Sequence, residues 1–157
     1  MAVDEMTRWR ADQARAYMEH VRSISISMEC RREEIERLRS KQLPAAVVCT
    51  EGAQGSVYGD AVPDGIIALD EAIRAYCTDL VGFVDEMKVA HDAVAKIKCH
   101  ERREMLRLRY LCGMSLRQAC ESLGYSYAGG KDMCIHALAD LWESMPMEWR
   151  FDTPKAV

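Results

Sequence analysis

The sequence has no long apolar run. No uninterrupted apolar stretch approaches the roughly 20 residues that a helix needs to span a bilayer. The first ten residues are polar, and acidic at their start, which argues against an ordinary signal peptide. We therefore expect a cytoplasmic protein with no membrane partner.

The sequence also lacks paired metal-binding cysteines, although it contains seven cysteines. Their number is odd, their spacing is irregular, and no two form a CxxC pair, so neither a zinc ribbon nor a redox motif is indicated. Cys99 with His100, and Cys134 with His136, are conceivable metal ligands. Cysteine in a reducing compartment, however, commonly serves as a small buried hydrophobic residue. The sequence predicts no metal site.

Catalytic signatures are missing as well. There is no GxxxxGK[ST] loop, no HExxH helix and no pair of carboxylates in an apolar setting. The glycines at positions 52, 55, 129 and 130 lack the strand context of a nucleotide-binding loop. We expect no enzymatic activity, no catalytic residues and no cofactor.

The net charge of −4 hides an uneven distribution. Residues 1–95 hold 11 Lys/Arg and 17 Asp/Glu, whereas residues 96–150 hold 9 Lys/Arg and 7 Asp/Glu. Six of these basic residues are close together in the sequence: Lys96, Lys98, Arg102, Arg103, Arg107 and Arg109. An acidic total therefore does not exclude a nucleic-acid surface near the C-terminal end, although one copy of the chain would bind weakly.

Two long apolar stripes predict an all-α fold whose first part is an antiparallel helical hairpin, a coiled-coil stalk. Each stripe advances by three and four residues in alternation, the 3.5-residue period that keeps one seam facing a partner helix. The second would run roughly 45–50 Å at 1.5 Å per residue, too long to be buried in a small globule. The first comprises Ala14, Tyr17, Val21, Ile24, Met28, Arg31, Ile35 and Leu38, with Arg31 as the one exception; the second comprises Ile66, Leu69, Ile73, Tyr76, Leu80, Phe83, Met87, Ala90, Val94 and Ile97.

A loop at 44–64 is expected between the two helices, so residues 1–98 are predicted as the hairpin and oligomerisation region. The loop is either a flexible surface segment or a partner-binding or swapped segment, since about 22 residues without periodicity are long for a connection in a compact domain. Asp64 is predicted as the N-cap of the second helix. The 3-4 pattern fails after Ile97, which predicts a break near Lys98–Arg102.

Three shorter helices are predicted beyond that break, at about 101–112, 115–123 and 127–144. Ser115 and Gln118 form a capping box at the start of the second of these helices. That helix stops at Gly124, and the third follows Ser126. This is helix-turn-helix spacing, which predicts a DNA-binding domain at 99–146, followed by a tail at 147–157.

The residues of this unit resemble a known family. Leu106-Arg-Leu-Arg-Tyr-Leu-Cys-Gly-Met-Ser115, Leu123-Gly-Tyr-Ser126 and Ala137-Leu-Ala-Asp-Leu141 are similar to region 4 of sigma-70-type factors, in particular to the sigma-region-4-like ArpU-type late-gene transcriptional regulators of phages and prophages. Those proteins also tend to begin with a helical hairpin, so the resemblance covers most of the chain. It implies duplex binding at a phage or prophage promoter, or contact with RNA polymerase, in a bacterial host cell. Two positions depart from the pattern: Cys120 replaces the usual Ala, and Gly130 replaces a β-branched residue.

Four residues are predicted to contact DNA. Arg117, near the start of the first motif helix, would bind phosphate. Ser126, Tyr127 and Lys131 would lie near the N-terminus of the recognition helix, where Lys131 would reach a guanine edge or a phosphate and Tyr127 a sugar or a thymine methyl. The alternative is that Tyr127 packs internally and the basic side chains are merely solvated. Asp132 would repel phosphate.

The predicted function is that of a DNA-binding transcriptional regulator acting as a homodimer or larger homo-oligomer on double-stranded DNA. One alternative is an assembly or packaging component, such as a small terminase subunit, whose hairpin oligomerises into a ring. Another is a relative that keeps the fold but acts through protein contacts with RNA polymerase. A dimer favours the regulator, and a ring of about eight or more copies favours the terminase.

Overall fold

The computed structural model describes residues 3–47 and 64–151, and their regular structure is entirely helical. The all-α prediction is confirmed. In chain order the helices are α1 (Glu5–Val47), α2 (Asp64–Ala95), α3 (His100–Leu106), which continues as a π-helical turn (Arg107–Leu111), α4 (Leu116–Leu123) and α5 (Tyr127–Trp142), followed by a 3₁₀ turn (Met147–Trp149).

The helix ends lie close to the predicted ones, with two differences. Residues 44–47 continue α1 instead of starting the loop, and the remainder of the predicted loop, 48–63, lies outside the described residues. Asp64 is the first residue of α2 rather than its N-cap, so its carboxylate lies at the positive end of the helix dipole. The break predicted near Lys98–Arg102 is present, because α2 ends at Ala95 and α3 begins at His100.

The chain divides into two compact units. One contains the residues up to Ile24 and those from Val84 onwards, and the other is Ser25–Phe83. This division differs from the expected one, in which residues 1–98 and 99–146 formed separate domains. The physical reason is that the start of α1 supplies apolar side chains to the same core as α3, α4 and α5.

The core of the first unit combines side chains from all five helices. Its buried members in α1 and α2 are Ala11, Ala14, Tyr17, Met18, Val21, Ala90, Ala93 and Val94, with Ile97 just beyond α2. The stripe predicted to close the trihelical unit is confirmed, since Ala137, Leu138 and Leu141 are buried and Met133 and Trp142 pack against them. Burying a large aliphatic side chain contributes about 1.5–3 kcal/mol, so α1 is an integral part of this unit.

Polar contacts fasten α1 and the C-terminal segment to this core. Gln13 Oε1 accepts hydrogen bonds from Trp142 Nε1 at 3.2 Å and from the backbone N–H of Phe151 at 2.6 Å. The Trp9 and Trp142 rings are in tilted contact, with centroids 6.0 Å apart. Ser144 Oγ donates to the carbonyl of Ala93 at 2.9 Å. These bonds hold the end of α5 against both long helices.

In the second unit, Arg31 of α1 forms an ion pair with Asp79 of α2. This pairing accounts for the single exception in the first apolar stripe. Burial in this unit is shallow: Met28 is buried, whereas Leu69, Tyr76 and Leu80 are only half-buried. Several large apolar residues of α2 are exposed here, namely Ile66, Ile67, Ile73 and Val81, the last of them 68% exposed.

Candidate nucleic-acid interface

The helix that precedes the predicted motif ends in a wider turn than the sequence indicated. The backbone N–H of Cys112 donates to the carbonyl of Arg107 at 2.9 Å, an i→i−5 bond, and that of Met114 donates to Leu108 at 3.0 Å. Gly113 allows this closure because its φ is +74°. Residues 107–111 are therefore π-helical rather than part of the predicted α-helix at 101–112. Single π-turns of this kind are frequent at functional sites.

α4 begins with the predicted capping box, which is confirmed. Gln118 N–H donates to Ser115 Oγ at 3.3 Å, and Ser115 N–H donates to Gln118 Oε1 at 2.9 Å. The helix ends at Gly124, whose φ of +75° is left-handed. The next residue, Tyr125, donates its N–H to the carbonyl of Cys120 at 2.9 Å. These local bonds define the turn between α4 and α5.

α5 begins at Ser126, whose Oγ accepts a hydrogen bond from Gly129 N–H at 3.2 Å. Gly129 therefore lies in the first turn of the helix rather than in its interior. Gly130 is buried, and a Cβ atom placed there would overlap Cys120 Sγ. The two departures from the family's pattern are thus coupled: Cys120 occupies the space that a β-branched side chain at position 130 would need.

All four predicted DNA-contact residues, Arg117, Ser126, Tyr127 and Lys131, have exposed side chains. Tyr127 is 56% exposed, which argues against the alternative in which it packs internally. Ser126 has a structural role as the cap of α5, with its hydroxyl at the positive end of the helix. Tyr125, which the sequence suggested as a packing residue, is 37% exposed.

Lys131 lies beside α1, which sequence reasoning did not anticipate. It lines a cavity of about 430 Å³ together with Arg8 and Arg15 of α1, and with Asp12 and Asp132. Arg15 Nη1 is 3.0 Å from Asp12 Oδ1, so part of this positive charge is neutralised. No local sequence signal relates residues 8–15 to residue 131, because their proximity arises only from the packing of α1 on α5.

The basic run at 96–109 does not form one continuous cationic surface. Arg102 pairs with Asp140 at 2.8 Å, and Arg107 pairs with Glu104 at 2.9 Å. Arg103 Nη1 donates to the carbonyl of Ile97 at 3.2 Å. Arg109 points inward, with Nη1 3.7 Å from Cys134 Sγ. These four arginines stabilise the fold, and the two lysines of the run remain exposed.

Arg109 adjoins a buried pair of titratable groups. Burial raises the pKa of Tyr110 to about 12, with a smaller raising effect from Cys134 and opposing effects from the Arg109 and Arg15 charges. Burial also raises the pKa of the Cys134 thiol, again opposed by Arg109. The Tyr110 hydroxyl has no hydrogen-bond partner within the described part of the chain. Both groups are therefore neutral at physiological pH, and Tyr110 is primarily a packing residue.

Residues 3–47 and 64–151 contain no group of three His, Cys, Asp or Glu side chains arranged to hold a metal ion. Nor does any described helix have the length and apolar character needed to cross a membrane. Comparisons with protein families, with curated proteins and with solved structures find no match for this chain. The functional argument therefore depends on the geometry of the chain itself.

Proposed function

We propose that this chain is a DNA-binding transcriptional regulator that binds duplex DNA through α4 and α5. The observation that carries the proposal is the geometry of the α4–α5 turn. It combines the Ser115 capping box, the left-handed Gly124 and the close contact between Cys120 and Gly130. Together these features make α4–α5 a compact helix-turn-helix whose second helix has an exposed N-terminus.

Each proposed contact follows from its place in this unit. Arg117, in the first turn of α4, binds a backbone phosphate. Tyr127 and Lys131 lie in the first turns of α5 and enter the major groove, where Lys131 reaches a guanine edge or a phosphate. Ser126 starts the helix and presents its positive end to the DNA backbone.

α1 restricts how a duplex approaches α5. Its buried residues Ala14, Tyr17 and Met18 belong to the core, so DNA does not displace it. The duplex must instead fit against the first turns of α5, with Arg8 and Arg15 beside it. Because carboxylates share this surface with the cations, we expect weak affinity for a single site.

A dimer on paired half-sites would recover affinity, and α2 offers a surface for one. We propose that α1 and α2 form an antiparallel hairpin, supported by the Arg31–Asp79 pair, and that the exposed Ile66, Ile73 and Val81 of α2 contact a second copy. A symmetric dimer would place two recognition helices on half-sites about one helical turn apart.

The phage or prophage origin, and the cytoplasm of a bacterial host as the place of action, rest on the resemblance of residues 106–141 to sigma-region-4-like regulators. Contact with RNA polymerase is the second candidate function. It is favoured by the acidic Asp12 and Asp132 beside Lys131, since these carboxylates oppose phosphate but not a basic protein surface. A packaging role in a ring-shaped assembly is a third, favoured by the exposed apolar residues of α2.

Selection of bound fragments from phage and host DNA, followed by fluorescence anisotropy on the selected duplex, tests the proposal. A saturable, salt-sensitive complex with a preferred sequence is expected, together with a dimer mass in sedimentation. If the intact oligomer binds no duplex at about 50 mM salt, where phosphate contacts are strongest, the regulator proposal fails and polymerase docking takes its place. A ring of about eight or more copies would favour packaging instead.

A further inference from the structure

A second basic cavity lies away from the α4–α5 turn. It has a volume of about 450 Å³ and lies between the start of α1, the α2–α3 connection and the C-terminal half of α5. Its charged lining consists of Arg10, Lys96, Lys98 and Arg102 on one side of the balance and Asp140 and Glu143 on the other, with His136 at its wall. Four permanent cations thus face two carboxylates.

The two carboxylates are already engaged by the two arginines. Arg102 pairs with Asp140 at 2.8 Å, and Arg10 lies 3.8 Å from Glu143 while its guanidinium stacks over the Trp142 ring at 4.8 Å. Within the described residues, neither Lys96 nor Lys98 forms an ion pair, and both side chains are exposed. The cavity is therefore open to solvent and holds two uncompensated ammonium groups.

The geometry points to a binding site for a phosphate group, with Lys96 and Lys98 as its cationic ligands. Lysine presents three rotatable donors and a compact charge, which suits a phosphate bound from a wide opening. Arg10 and Arg102, held in place by their carboxylates, are positioned to add guanidinium N–H donors. The volume suits a small phosphorylated molecule, and the opening also admits a phosphate of a longer polyanion.

The phosphate has two possible sources, a free phosphorylated molecule or the backbone of the duplex proposed above. Only the second source rests on the proposed function. Because the site uses no residue of α4 or of the first turns of α5, binding of a free phosphate compound can be measured whether or not the protein binds DNA.

The test compares the double variant Lys96→Gln/Lys98→Gln with the matched control Lys41→Gln/Lys88→Gln, which removes two exposed lysines that do not line the cavity. In the first arm, pyrophosphate is titrated into each full-length protein and followed by amide NMR shifts. Saturable shifts at residues 96–99 and at His136 are expected in the wild type and in the control. The cavity variant should bind about tenfold more weakly or worse, the loss of roughly one charged hydrogen bond.

In the second arm, duplex affinity is measured as a function of salt concentration. If the backbone is the source, the cavity variant should lower the log–log salt slope by about 0.9 for each phosphate lost, and the control should not. Pyrophosphate binding with an unchanged slope identifies a free phosphorylated ligand, and a changed slope without pyrophosphate binding identifies the duplex. The inference is overturned if the cavity variant matches the control in both arms. That result leaves the DNA-binding proposal intact as long as the wild-type protein still binds duplex through Arg117 and Lys131.

Discussion

Cys120 and Gly130 are in direct contact where α4 meets α5. A Cβ atom at Gly130 would overlap Cys120 Sγ and lie 3.3 Å from Cys120 Cβ. The absence of a side chain at position 130 is therefore a packing requirement set by the thiol across the contact. Each residue explains the other, and together they allow the close approach of the two helices.

Gly130→Ala is expected to destabilise the protein by about 1–3 kcal/mol, because the added methyl overpacks the contact. Cys120→Ala in the same chain should recover part of this loss, since it removes the Sγ atom that the methyl meets. The double mutant should be non-additive by more than about 0.5 kcal/mol in urea unfolding followed by circular dichroism. Gly129→Ala is the control, because that residue is exposed, and its effect should stay within about 1 kcal/mol. Additive effects of the two substitutions would contradict the contact.

Tyr110 makes stability depend on pH in the alkaline range. Its folded-state pKa of about 12 lies above the ordinary tyrosine value, so the neutral phenol is favoured by folding. The resulting stabilisation is fully present below about pH 10 and is lost as the pH rises towards 12, and it amounts to about 2–3 kcal/mol. Tyr110→Phe should remove this loss while leaving the fold equally stable or slightly more stable at pH 7, because the buried hydroxyl has no partner among the described residues. Unfolding curves of both proteins at pH 8, 10 and 11.5 provide the measurement. Identical pH profiles would show that Tyr110 does not titrate in this way.

The positions of the helices could be predicted because their signals are local. Ser115 and Ser126 cap helices through bonds to residues only three positions away, and the apolar period continues through α2 into the buried Ala90 and Val94. The π-helical turn had no such signal. It depends on the backbone bond from Met114 to Leu108 and on the left-handed Gly113, and neither alters the apolar pattern.

The surface chemistry was less predictable, because it depends on residues distant in the sequence. Arg102 belongs to a basic run by sequence, yet its partner Asp140 follows 38 residues later. Lys131 was identified from its place in the motif, but its neighbours Arg8 and Arg15 come from the other end of the chain. Periodicity and capping identify helices, whereas the sum of charges on a surface requires the tertiary fold.

Self-association is expected to depend on the exposed apolar residues of α2. Ile73→Glu/Val81→Glu should shift the protein from dimer to monomer at tens of micromolar, because the charges must be desolvated in the interface. Its thermal stability measured as a monomer should change little, since these side chains are 40% and 68% exposed. Sedimentation velocity gives the mass, and Leu80→Asp/Phe83→Asp serves as a contrast that should lose packing and assembly together. A wild-type protein that is monomeric at this concentration would refute the prediction.

Ser126 allows the folding of α5 to be separated from its proposed contact with DNA. Ser126→Ala should cost about 0.5–2 kcal/mol of stability, because Gly129 N–H loses its acceptor. Ser126→Asp keeps a capping oxygen and adds a negative charge at the positive end of the helix, so its stability should equal or exceed that of the wild type. The same charge should repel a phosphate and weaken duplex binding about tenfold or more. If Ser126→Asp binds DNA as well as the wild type, the N-terminus of α5 does not face the duplex.

Arg117 and Lys131 are expected to contribute to duplex binding in different ways. Each neutralises about one phosphate, so Arg117→Gln and Lys131→Gln should each lower the log–log salt slope by about 0.9 per engaged site, and the exposed Arg39→Gln should leave it unchanged. Arg117→Ala should weaken all sequences alike, because a phosphate carries no base identity. If Lys131 reads a guanine edge, Lys131→Ala should also relax preference at one position by about 1–3 kcal/mol. A matched pair of duplexes differing at that base pair, measured at two salt concentrations, separates these effects. Equal losses for Arg117, Lys131 and Arg39 would mean that only net charge matters and that α4 and α5 do not form the interface.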